Sequence, residues 1–523
     1  MPSKESFSAS NGHLQDGWSV DPSQFAFTPR KLRVVCIGAG FSGLILAYKL
    51  KHERPIDFVD YTIYEKNPEV GGTWYENVYP GVGCDIPAPM SSHLSQIPIG
   101  PSSMSADQRS KTYIVKTTDK YGLRDKITFN TKLLQAAWDE GDGKWKLTLE
   151  QGGSLIEDVA DIVVDGSGIL NQWKWPDVEG LNLFQGKLLH SARWDPDYDW
   201  TGKGIAVIGN GSSALQIVPE LQPKAAKIVN YIRRATWVST NLCGNLTKDG
   251  MGTNFEFTKE DKQRFRDDPE EFLKYRKVVE ASVNSVFRLM LSGSEENRFL
   301  FKLVDSVMRA RLSKDPELAD KLIPKYEIGC RRLSPGDGYL EALQADNAEI
   351  RFDSIQRITE TGIQTDKGIE EFDLIVCATG FNASFIPAWD LVGRDGRRLD
   401  EEWKEKPEAY FSVCAAGIPN YFISVVVKDS VVSDYNIYAQ ENLKRAVWSK
   451  GCHAWYSKKT TGEGVTVTAM YPGSVLHYKA VLRTIRGEHF DIRYNTTNPF
   501  RYLGNGELAF EREKGADLAF YLK

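Results

Sequence analysis

LRVVCIGAGFSG, residues 32–43, is a short apolar, β-branched run that ends in glycines spaced G-x-G-x-x-G and passes into the helical pattern Leu44, Ala47, Tyr48. Strand, turn and helix in that order form a phosphate-binding unit. Gly38 permits the tight turn, Gly40 lets backbone approach a pyrophosphate, and Gly43 lets helix and strand pack closely. The helix start at Phe41 and Ser42 offers unpaired N–H groups to the phosphate charge. A second strand, TIYEK (62–66), brings Glu65 and Lys66 to the turn's edge, where an acid accepts hydrogen bonds from ribose hydroxyls.

Outward from that unit the same grammar recurs. DIVVDGSG (161–168), GIAVIGNG (204–211), KIVNYIRR (227–234) and DLIVCATG (373–380) are buried-strand patterns running into or towards a turn. GNGSSA supplies a second fingerprint: Gly209, Gly211, Ser212, Ser213 and Ala214, with alanine at the close-packing position. Its second strand ends in Arg233 and Arg234 instead of an acid, which suits a 2′-phosphate and predicts NADPH. With NADPH as donor, the first fingerprint is assigned to FAD, so electrons pass from nicotinamide to flavin.

The predicted architecture is α/β: two doubly wound, Rossmann-like dinucleotide-binding domains, the NADPH domain inserted in the FAD domain. The expected boundaries are a flexible arm over 1–31, FAD domain segments at 32–168 and 371–523, and the NADPH domain at 169–370. Between about 258 and 322 apolar residues fall at steps of three or four, as in Phe272, Tyr275, Val279, Val283, Val286 and Met290, predicting a helical insertion.

At 523 residues, 41% hydrophobic and 26% charged, with a net charge of −5, the chain reads as an ordinary multi-domain globular protein. Lys and Arg are scattered, which argues against nucleic acid as ligand. No apolar run has the length of a membrane span and the N-terminus lacks a signal core, so a cytoplasmic protein without a membrane partner is expected. The seven cysteines lack C-x-x-C spacing and are read as thiols of a reducing compartment with no metal site. No obligate protein partner is indicated.

GGTWYENVYPGVGCDIP (71–87) follows the first unit; Gly72, Thr73, Trp74, Tyr79 and Cys84 are assigned to cofactor lining, and Asp85 closes the segment. Phe184, Gly186, His190, Trp194 and Asp195 then reproduce FxGxxxHxxxW(P/D), and on these residues the chain resembles the Baeyer–Villiger monooxygenases. GCRRLSPGDGYLEAL (329–343) and CATGF (377–381) extend the likeness, and CHAWY (452–456) and YPGSVLHY (471–478) are similar to segments of fungal members of secondary metabolism, so that it covers nearly the whole chain from residue 32.

The resemblance implies that Arg332 is the active-site arginine, Asp85 its carboxylate partner, and Arg331 a support for the NADPH phosphate. It implies that His190 belongs to an interdomain linker and that Thr379 and Gly380 border the flavin. The implied reaction uses NADPH and O2 to form a flavin C4a-peroxide that inserts one oxygen beside a ketone carbonyl, the substrate being a polyketide or terpenoid ketone. VVVKDSVVSD (425–434) departs from the family's Gly-Pro-x-Ser stretch: only Ser430 matches, and Lys428 and Asp429 bring charge to a place expected near the flavin. An N- or S-oxidising flavin monooxygenase, or a flavin protein serving only as redox partner or scaffold, stays open.

Overall fold

The computed structural model describes residues 19–87, 104–106, 108–241, 243–247, 252, 255, 257–421, 426–460, 464–493 and 498–522. Residues 1–18 of the expected arm, and Val425 of the divergent stretch, lie outside the described residues.

The run Leu32–Ile37 is a strand because its β-branched residues are covered on both faces, Val35 and Cys36 being fully buried. It pairs in parallel with Val59–Tyr64 on one side and Ile162–Asp165 on the other. Ile127–Thr128 extends this four-stranded parallel sheet at the edge. An antiparallel sheet of Thr131–Asp139, Lys144–Gln151 and Ser154–Ala160 packs beside it around the buried Trp145.

The second sheet is wholly parallel, its spatial order being Lys187–His190, Leu374–Cys377, Gly204–Ile208, Lys227–Tyr231 and Ala348–Arg351. Leu374–Cys377 therefore lies inside the second unit, between two of its strands, and the expected return to the first unit at residue 371 is corrected to a point after Cys377. The reason is burial: Leu374, Ile375, Val376 and Cys377 are solvent-free on both faces, which only an interior strand position provides. The chain then re-enters the first unit through Asp390–Val392, paired to Thr131–Asp139, and Tyr421, bridged to Val163.

The helical insertion forms as Lys259–Asp267, Pro269–Asn284, Glu295–Arg311 and Pro316–Leu322. Each start carries its own signal: a Thr258/Asp261 capping box, Asp268 before Pro269, Ser294, and Asp315 before Pro316. Val304 and Met308 enter the core of the second unit, as does Tyr79 from the first.

The described part of the N-terminal arm is held rather than loose. Ala26 N–H donates to the Glu507 carbonyl, Phe27 N–H to that of Tyr502, and Asn505 N–H to that of Gln24. Reading the cysteines as free thiols is also corrected. Cys330 and Cys452 form a disulfide, in which Cys36, Cys84, Cys243, Cys377 and Cys414 take no part. Two half-cystines 122 residues apart have no spacing signature, since only the tertiary fold juxtaposes them.

Candidate active site

The first fingerprint is built as a close-packed turn. Gly38 has φ +105°, and a Cβ on Gly43 would stand 2.1 Å from the Gly38 carbonyl oxygen. Gly40 lies against Gly72, where a Cβ would meet the opposing Cα at 3.0–3.5 Å. The segment carrying Gly72 and Thr73 is thus pressed onto the fingerprint. No side chain caps the helix Phe41–Tyr48, so its first N–H groups are free for an anion.

Glu65 is buried, its carboxylate taking the Ala39 N–H at 2.7 Å and the Asn67 N–H at 2.8 Å. Those two donors fix its orientation and leave acceptor capacity for a hydroxyl pair. Lys66 forms an ion pair with Glu76 at 2.8 Å. Trp74 packs against both cores, spanning the two nucleotide units, and Cys84 is half-buried just ahead of Asp85.

The second fingerprint repeats the turn. Gly209 has φ +118°, Ala214 is fully buried against the sheet, and a Cβ at Gly211 would meet no atom within 4 Å. That open face lies at the uncapped start of the helix Ser212–Leu221. Asn230, which the motif reading missed, holds the turn from behind by donating to the Gly209 and Val207 carbonyls while accepting from Tyr339. A buried amide inside an apolar strand was the available signal. Ser212 pairs with Ser334, and Ser213 opens the helix beside it.

Arg233 and Arg234 are exposed at the end of the second strand, without an ion pair among the described residues. Asn210 donates to the Arg234 carbonyl, tying the arginines to the fingerprint. Arg331 reaches the same place, its Nη1 donating to the Ala235 carbonyl at 3.3 Å. The Arg331 guanidinium therefore lies against the same stretch of backbone that carries Arg233 and Arg234.

Arg332 and Asp85, 247 residues apart in sequence, meet as the resemblance implies. Arg332 Nε donates to Asp85 Oδ2 at 3.0 Å, and Nη2 contacts both carboxylate oxygens at 2.7 Å. Nη1 has no partner among the described residues. The pair bridges the segment leaving the first fingerprint and the loop leaving the insertion.

Tyr79 is turned towards the second unit, its hydroxyl donating to Gln216 Oε1 at 2.8 Å while Gln216 Nε2 donates to the Gly83 carbonyl. His190 is fully buried among Trp173, Trp175 and Phe381. Its Nδ1 accepts from the Ala192 N–H and its Nε2 stands 3.4 Å from Thr379 Oγ1, next to Gly380. Burial pulls its pKa down to about 4, so it is neutral at physiological pH and acts as a strut between strands. Trp194 packs edge-on to Trp200, Asp195 binds Lys187, and Gly186 lies under the Phe184 ring.

A cavity of about 350 Å³ opens beside Ser42, walled by Asp165, Tyr421 and the helix Asp429–Leu443. Asp165 accepts from Ser167 and from the Tyr421 hydroxyl, and its burial raises its pKa. Its charge at the end of a buried strand was the sequence signal for it. Lys428 and Asp429, expected to bring charge near the flavin, have partners within the chain: Lys428 donates to the Glu488 carbonyl and Asp429 pairs with Arg397. Both are absorbed by the chain's own surface groups because Lys428 and Asp429 start a helix rather than a close-approach loop.

Residues 31–290 match the family described as flavin-binding monooxygenase-like. The chain is 60% identical to the FAD-binding monooxygenase tazF of Aspergillus terreus over the whole of both chains. It is 33% identical to a Baeyer–Villiger monooxygenase of Pseudomonas aeruginosa, covering 95% of this chain and 97% of that one. Among solved structures, OTEMO in complex with FAD and NADP shares the fold at a TM-score of 0.73 and 24% identity, over 87% of this chain and 98% of that one. On these relatives the chain belongs to the Baeyer–Villiger group of FAD-binding monooxygenases.

Proposed function

We propose that the protein uses FAD, NADPH and O2 to insert one oxygen atom beside the carbonyl of a ketone, releasing an ester or lactone. The observation that carries this reading is the bidentate Arg332–Asp85 pair, which sets a fixed cation at the junction of the two nucleotide units. The residues fit both cofactors. The uncapped turn at Gly38 to Gly43 with Glu65 suits FAD, and the turn at Gly209 to Ala214 with Arg233, Arg234 and Arg331 suits the 2′-phosphate of NADPH. When bound, the flavin supplies oxygen activation and the nicotinamide its electrons.

The chain's own part is electrostatic and positional. Asp85 occupies Nε and Nη2 of Arg332, so the guanidinium plane is held and Nη1 is the donor left for an oxygen that gains negative charge. A donor fixed in advance lowers the cost of reorganisation during reaction. The buried Glu65 orients the FAD ribose, and Tyr79 with Gln216 keeps the two units in register. The cavity beside Ser42 combines aromatic and aliphatic walls with the amides of Asn171, Gln172 and Asn436, which suits a bulky uncharged polyketide or terpenoid ketone.

The test is a flavin spectrum of the purified protein, followed by NADPH consumption across a ketone panel with product mass and connectivity. A product heavier by one oxygen with ester or lactone connectivity supports the reading. Hydrogen peroxide alone from every ketone, or an N-oxide or sulfoxide as the main product, overturns it.

A further inference from the structure

The segment CHAWY (452–456) contributes no residue to the reaction as described, yet the fold brings it directly behind the arginine pair. Cys452 is bonded to Cys330, the residue before Arg331 and Arg332. Tyr456 donates its hydroxyl to the Cys330 carbonyl. Both attachments are buried: Cys330 is solvent-free, and Tyr456 and Cys452 lie with Val447 and Trp448 in one apolar cluster. Burial raises the Tyr456 pKa, which keeps the hydroxyl a donor.

Other ties on this loop act further from the arginines. Asn297 donates to the Ile328 carbonyl, Ser292 binds Glu327, and Trp237 donates to the Tyr326 carbonyl. Beyond the disulfide, Arg331 and Arg332 are held by their own side chains, on Ala235 and Asp85 respectively, and the backbone is next anchored at Ser334, which pairs with Val238. The backbone at Cys330 is thus the last anchored point before both guanidinium groups. A hydrogen bond and a covalent link at one buried residue restrict its motion more than a side-chain hydrogen bond or ion pair alone does.

We propose that Cys452 and Tyr456 are positioning residues. Through Cys330 they hold the backbone from which Arg331 is presented to the NADPH 2′-phosphate and Arg332 to the reacting oxygen. The C-terminal segment is therefore part of what makes the enzyme prefer NADPH over NADH and keeps oxygen transfer coupled to NADPH use. The inference rests on the proposed function for the coupling, but not for the tether or for nucleotide preference.

Three measurements separate these levels. Alkylation of the denatured protein without reductant should label five cysteines, and seven after reduction; seven without reduction overturns the tether. Dissociation constants for NADP⁺ and NAD⁺ are then compared in wild type, Cys452→Ala and Tyr456→Phe. The phenylalanine keeps the packed ring and removes only the donor, so it serves if the alanine variant fails to fold. Tyr456→Phe should weaken NADP⁺ about three- to tenfold, with NAD⁺ little changed; an unchanged NADP⁺/NAD⁺ ratio in a folded variant overturns the positioning role. Where wild type oxygenates a ketone, product formed per NADPH should fall in Tyr456→Phe while flavin content stays constant, and an unchanged ratio removes Arg332 from the proposal. If wild type oxygenates nothing, the proposed function fails while the first two measurements still judge the tether.

Discussion

Arg332 and His190 show how differently two charged residue types are used by one fold. Arg332 sits at a half-exposed junction with its Nη1 unpaired among the described residues, whereas His190 is stripped of solvent and of charge. Arg332→Ala should retain FAD and be reduced by NADPH but lose oxygenated product about 10²–10³-fold, the electrons appearing as hydrogen peroxide. Product analysis alongside peroxide assay checks this, and full ketone oxidation by the variant removes Arg332 from the mechanism. For His190 the pKa falls from 6.5 to about 4 on folding, so between those values the unfolded chain binds a proton that the folded chain refuses. Its contribution is whole above about pH 6.5 and lost as pH falls towards 4, a difference on the order of 3 kcal/mol. His190→Gln should therefore show a flatter fall in melting temperature over that range than wild type, and parallel curves would refute the assignment. The motif at Phe184 to Asp195 located His190, but its neutrality depends on Trp173, Trp175 and Phe381, which the motif does not contain.

At the scale of elements, the two strand-turn-helix units look alike in sequence but tolerate change differently. A methyl at Gly43 collides with the backbone of its own turn, while a methyl at Gly211 projects into open space. Gly43→Ala should therefore reduce flavin content and melting temperature together. Gly211→Ala should leave both unchanged and raise KM for NADPH about tenfold, by standing where the pyrophosphate approaches. Flavin absorbance, thermal melts and NADPH kinetics on the two variants check the pair; a destabilised Gly211→Ala would show that the turn is packed more tightly than its surroundings indicate. The helical insertion was equally legible, because its caps and three-to-four spacing are local. The segment after Val425 was not: that its charges take Glu488 and Arg397 as partners at the start of a helix is set by distant chain.

Across the whole molecule, the decisive contacts join the two nucleotide units. Tyr79 leaves the first unit and buries its ring in the core of the second, with its hydroxyl on Gln216. Tyr79→Phe should leave each nucleotide bound with unchanged affinity yet slow anaerobic flavin reduction about tenfold, since a small misplacement of two bound reactants is costly. Stopped-flow reduction measures this directly, and a wild-type rate would assign Tyr79 to packing alone.

What the sequence determined by itself were the features whose geometry is complete within a few residues: both glycine turns, the acid and the arginines that follow their second strands, the helix caps and the linker motif. Their physical basis is local, since strand burial, turn conformation and helix capping depend on near neighbours. Only the tertiary structure decided that Leu374–Cys377 lies inside the second sheet, that Asp85 closes on Arg332 across 247 residues, and that Cys330 and Cys452 pair across 122. Those pairings depend on which surfaces pack together, and the fold as a whole sets that packing.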